Sequence, residues 1–128
     1  MPVTYLSQEW IDAYNAALAG DDAVHSALAG KSATLQMVIS DAPQGEVHYW
    51  LRIADGGATA GLGDADGADV TIRQSYETSA QVNKGELDGQ KAFVQGKVKI
   101  GGTMLKMMQL RGPLEKVQAA LATIDTEY

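Results

Sequence analysis

Residues 90–104 read QKAFVQGKVKIGGTM and run on into LKMMQL, residues 105–110. An apolar pair, Phe93 and Val94, is followed by strict alternation through Lys97, Val98, Lys99 and Ile100, the period of a strand with one buried face. Beyond Gly101 and Gly102 the period becomes helical. Three of the chain's five methionines, Met104, Met107 and Met108, fall there, two of them at i, i+4. Methionine is flexible and polarizable and is favoured where an apolar surface must fit varied shapes. A core with one fixed packing more often uses Leu or Ile. The stretch therefore reads either as core filler or as the lining of something that changes shape.

Upstream, alternation recurs. In SATLQMVIS (32–40), Leu35, Met37 and Ile39 share one face. In EVHYWLRIA (46–54), Val47, Tyr49, Leu51 and Ile53 share one face, and Glu46, His48, Trp50 and Arg52 the other. A short third strand is predicted at Ala58–Leu62, a fourth at Val70–Gln74 and a fifth at Lys97–Ile100. Helical spacing of Trp10, Ile11, Tyr14 and Leu18 after a Ser7 N-cap predicts a helix stopped by Gly20. A second, short helix is predicted within 21–30, a third at Tyr76–Lys84, and a C-terminal pair divided at Gly112-Pro113. Leu114, Val117, Leu121 and Ile124 form the stripe of the last one. Strands with one apolar face need cover on that face and stay wet on the other. The fold class is α+β: a five-stranded, mostly antiparallel sheet with helices packed on one face, in a single domain over residues 1–128.

The 128 residues suffice to bury a core without staples. With no cysteine, disulfides, thiolate metal sites and thiol nucleophiles are excluded. The formal net charge of −6 disfavours nucleic acid and, on average, anionic membranes, which only a local basic patch would escape. No signal peptide, spanning segment or peroxisomal address is read at the ends, so a cytoplasmic protein is expected. GLGDAD is neither a dinucleotide fingerprint nor a P-loop. Asp64, Asp66 and Asp69 lack EF-hand spacing. His25 and His48 stand apart from any hydrolase motif. No catalytic residue, metal ligand set or cofactor is expected. Trp50, on the wet face, reads as partly buried or as a partner contact.

ADVTIRQS (68–75) followed by GELDGQKAFVQGKVKIGGTM (85–104) resembles the sterol carrier protein two family, the non-specific lipid-transfer proteins. The shared features are Asp69–Ile72, Gly85, Leu87, Ala92, Phe93, Gly96–Ile100, Gly102 and Met104. The resemblance implies a hydrophobic tunnel between sheet and helices, closed by the C-terminal helical region, that takes fatty acids, acyl-CoA, sterols or phospholipid-like molecules. It implies Leu35, Met37, Ile39, Phe93, Ile100, Met104, Met107, Met108 and Leu121 as lining residues. Gln95 would either orient a ligand head group or be satisfied by backbone. The implied function is non-catalytic binding or carriage of a lipid or other hydrophobic small molecule, without stable membrane insertion. The alternative is an accessory module for a separately encoded enzyme acting on apolar substrates. Eukaryotic members tend to be basic, whereas this chain is acidic.

Overall fold

The computed structural model describes residues 2–128. Strand β1 (Val3–Thr4) leads into α1 (Gln8–Ala19) and α2 (Asp22–Leu28). The Ser7 hydroxyl accepts the Trp10 N–H and the Asp21 carboxylate accepts the Val24 N–H, so each helix starts on a side-chain cap. Trp10, Ile11, Tyr14 and Leu18 are buried along one face of α1. Next come β2 (Ala33–Ala42), β3 (Gly45–Ala54), β4 (Gly57–Leu62) and β5 (Val70–Ser75). Helices α3 (Tyr76–Asn83) and α4 (Gly89–Val94) precede β6 (Val98–Gly102), α5 (Met104–Leu121) and β7 (Thr126–Glu127).

The main sheet has the order β4-β3-β2-β5-β6. β2 and β5 are parallel and the other three ladders antiparallel, so the sheet is mixed though mostly antiparallel. Pairing aligns residues into rows across the strands. One inner row runs Leu62, Tyr49, Met37, Ile72, Ile100. The row beside it runs Ala60, Leu51, Leu35, Val70, Gly102. Inner-face residues share one core with Trp10, Ile11, Leu18, Val24 and Leu28 of the first two helices and Leu110, Val117 and Leu121 of α5.

Three features differ from the sequence expectations. First, α5 is one helix, not a pair: Pro113 lies inside it. Proline removes one backbone donor and normally breaks a helix. Here Leu110, Pro113, Val117, Ala120 and Leu121 are all buried, so the apolar stripe stays in phase across the proline. Second, α4 is a helix that the periodicity does not announce; Asp88 starts it by accepting the Gln90 and Lys91 N–H groups at 2.8 and 3.2 Å. Third, the face away from the helices is not uniformly wet. Gln36 and Val38 on that face are buried. The segment linking β4 to β5 passes over it and is held by Gln36, whose Nε2 donates to the Tyr49 and Gly63 carbonyls while Oε1 accepts the Ala65 N–H. Trp50 lies on this face half-buried, its indole filling the space that a side chain at Gly61 would need, with the Arg52 guanidinium 5.4 Å from the ring centroid.

Candidate ligand site on the inner face of the sheet

The implied lining residues fall into three groups. Leu35, Met37 and Ile39 on β2 and Leu121 on α5 are buried in the core. Ile100 on β6 and Met107 on α5 are half-buried at its margin. Phe93, Met104 and Met108 stand at the surface, 42, 45 and 72% exposed. Gln95 closes α4 and is exposed; it borders an open depression of about 350 Å³ with Asp88, Gln90, Lys91 and Val94. A second depression, about 450 Å³, lies between Gly30–Ser32 and Lys106–Leu110. Neither depression runs between sheet and helices.

Packing explains why the margin at β6 is the weakly covered one. Helix α1 lies over β4, α3 over β2 and β5, and α5 packs mainly on α1 and α2. Edge strand β6 is touched chiefly by α4. The row Leu51, Leu35, Val70 is sealed, whereas Met37, Ile72 and Ile100 grade from buried to half-exposed toward β6.

Farther along that row, on β3, Tyr49 meets Trp10 edge to face with ring centroids 5.5 Å apart. Trp10 also stands edge to face with Tyr5 and Tyr14. The Trp10 Nε1–H is buried with no hydrogen-bond acceptor. Surrounding ring faces are weak substitutes for one. Burial pushes the Tyr14 and Tyr49 hydroxyls well above the ordinary tyrosine range, so both stay neutral.

Asp69 and Gly102 of the motif are structural. The Asp69 carboxylate accepts the Thr34 N–H at 2.8 Å and lies 3.5 Å from Lys106 Nζ, and its carbonyl accepts the Thr103 N–H. One residue thus ties together β2, β5 and the start of α5. Gly102 has φ 100°, and a Cβ there would overlap the Asp69 carbonyl. The histidines are clamps. The His25 ring lies between the Ala19 and Gly56 carbonyls at 3.1 and 3.0 Å. His48 lies between Asp64 and Glu46 at 2.6 and 2.9 Å. Hydrogen bonds to the carbonyls raise the His25 pKa, and hydrogen bonds to the carboxylates raise that of His48. Among the described residues no three His, Asp or Glu side chains converge to hold a metal ion, and no helix is long and apolar enough to cross a membrane.

Fold and site together define a small helix-on-sheet domain with an apolar inner face that is sealed in mid-sheet and loosely covered toward β6. The chain belongs to the SCP-2 sterol transfer family, whose sequence profile matches residues 14–115. In structure it is similar to a possible sterol carrier protein from Thermus thermophilus, with 20% identity over 98% of this chain and 92% of that one and a TM-score of 0.79. It is also similar to a crystal structure of sterol carrier protein 2, with 21% identity over 94% and 98% of the two chains and a TM-score of 0.79. A third similar structure is the inverting sec-alkylsulfatase Pisa1 from Pseudomonas sp., with 24% identity and a TM-score of 0.54. There the match covers 81% of this chain but 14% of the sulfatase. No curated protein matches the chain in sequence.

Proposed function

We propose that the protein binds and carries an apolar, long-chain molecule without transforming it. The molecule lies between the inner sheet face and α5 and enters at the β5–β6 margin. Family membership supports lipid as the ligand class. The observation that carries the reading is the graded row Tyr49, Met37, Ile72, Ile100, which leads from the core to a half-open edge. At ~4.8 Å between strands, the full row across five strands spans ~19 Å, enough for a long chain. Burying about 14 methylenes at ~0.8 kcal/mol each gives ~11 kcal/mol. Ordering and lost translation remove several kcal/mol of that or more. Micromolar affinity with little head-group selectivity follows. The unbranched methionines supply the rearrangement that opening the site requires.

The test is uptake of a fluorescent fatty acid, alongside native mass spectrometry and organic extraction of the purified protein. Ile100→Trp fills the margin without adding charge and should weaken uptake at least about tenfold while the circular dichroism spectrum is kept. Undiminished uptake by Ile100→Trp would remove the margin from the site. Absence of uptake by the unaltered protein would remove carriage itself.

The occurrence of a similar fold as a small part of a sec-alkylsulfatase favours a second reading, an accessory module for a separate enzyme. In that reading the interior is only core, and an added fatty acid finds no place in it.

A further inference from the structure

Every other buried side-chain nitrogen and oxygen among the described residues is hydrogen-bonded; the Trp10 Nε1–H is not. Leaving such a donor unpaired costs the desolvation of the group, and native folds rarely do so. A fully buried tryptophan ordinarily finds an acceptor for its N–H. Trp10 is 0% exposed, and Tyr5, Tyr14 and Tyr49 all stand edge to face with its indole. None of them supplies the acceptor, and the Tyr5 hydroxyl is taken by Ser79. The place of the indole gives the unpaired donor a use. Tyr49 lies in the same inner row as Met37, Ile72 and Ile100. It stands three strands from β6, ~14 Å from the half-open edge. Met37, the side chain between Tyr49 and Ile72 in that row, is unbranched and can fold aside. A chain laid along the row from β6 therefore ends against Tyr49 and Trp10.

We propose that Trp10 donates its Nε1–H to an uncharged oxygen at the leading end of the carried molecule, a role that rests on carriage as proposed. The oxygen is uncharged because no Asp, Glu, Lys, Arg or His side chain is buried among the described residues. A carboxylate driven to this depth would meet no counter-charge, and burying it unpaired costs far more than one hydrogen bond offsets. The favoured class is a long-chain ketone or alcohol whose chain trails back to β6. A fatty acid fits the same row the other way round, with its carboxylate at the solvent margin and its methyl end at Trp10, and leaves the donor unpaired. The competing account of the orphan is an N–H resting on a tyrosine ring face, a weaker contact than a hydrogen bond to oxygen. Proton resonance separates the two, because a ring face shields the proton and an oxygen acceptor deshields it.

The test follows the two indole N–H resonances of protein isotope-labelled at tryptophan while dodecane, methyl decyl ketone or dodecanoate is added. Binding of each is read separately, by displacement of a fluorescent fatty acid. The ketone should bind more tightly than dodecane and move the Trp10 Nε1–H downfield. Dodecane and dodecanoate should bind without moving it downfield, and the Trp50 Nε1–H on the outer face should stay still with all three. In Trp10→Phe the affinity ratio of ketone to dodecane should fall about fivefold. If Trp10→Phe does not fold, the resonances of the unaltered protein decide. The proposal is overturned if the ketone binds no better than dodecane, or binds without moving the Trp10 resonance. It is overturned equally if dodecane moves that resonance as far, or if the resonance already lies downfield before any ligand is added. Carriage survives each of those results. If neither the fluorescent fatty acid nor any of the three compounds binds, carriage falls and this role falls with it.

Discussion

Gly102 shows how little of a motif residue's role its composition reveals. Its φ of 100° lies in the region that side chains avoid, and the Asp69 carbonyl occupies the place of its Cβ. Both constraints act on the backbone, so no neighbouring side chain can give way. Gly102→Ala should destabilise the fold by about 2 kcal/mol or more, lowering Tm by roughly 6–10 °C, as calorimetry would register. A Tm within a degree or two of the unaltered protein would show that this corner is not held by the Asp69 knot. Gly61, opposite Trp50 in the sheet, is a comparable case. Alternation places Trp50 on the face away from the helices, and it lies there. What one strand in isolation hides is its partner: an indole in that row needs a strand neighbour without a side chain, which only the register reveals.

At the scale of elements, the segment from Gly63 to Asp69 illustrates a connection that reads in sequence as no more than a turn. It crosses two strands on the outer face and is fastened by Gln36 and by His48. Donation to both Asp64 and Glu46 requires a proton on each ring nitrogen of His48, that is, the imidazolium. The folded state raises the His48 pKa above its ordinary 6.5. The clamp's contribution is therefore fully present below pH 6.5 and is lost as pH rises through the raised folded value. Protection of the Ala65 amide, which donates to Gln36 Oε1, should accordingly fall only as pH rises above 6.5 and through the raised folded value, after correction for intrinsic exchange. His48→Phe should abolish that pH dependence. An unchanged profile in His48→Phe would mean that Gln36 alone holds the segment. Helix α5 teaches a related lesson. Gly112-Pro113 is a sound stop signal locally, and it is overridden because the buried stripe from Leu110 to Leu121 keeps its phase through the proline.

At the scale of the molecule, the five strands, the helices on one face and the family were legible because alternation and the 68–104 motif are local properties of the chain. The parallel pairing of β2 with β5 was not legible: it depends on a crossover held by Gln36 and His48, which lie far from it in sequence. Asp55-Gly56, with φ of 54 and 75°, was a readable two-residue hairpin signal that alternation alone did not use. For the site, periodicity separated inner from outer residues but not sealed from open ones. Leu35 and Ile100 look alike in sequence. They differ because one sits mid-sheet beneath the helices and the other on an edge strand that α5 barely reaches.

The small parallel pair of β1 and β7 has a consequence of another kind. The Val3 N–H donates to the Asp125 carbonyl and the Tyr5 N–H to the Glu127 carbonyl, both at 2.9 Å. Because the strands run the same way, a pull applied at residue 3 and at residue 127 acts along the ladder and loads both bonds at once. The domain is thus built to be stretched in shear rather than peeled open bond by bond. Under tension it should hold and then yield in a single abrupt step, starting at the seam that joins its two ends.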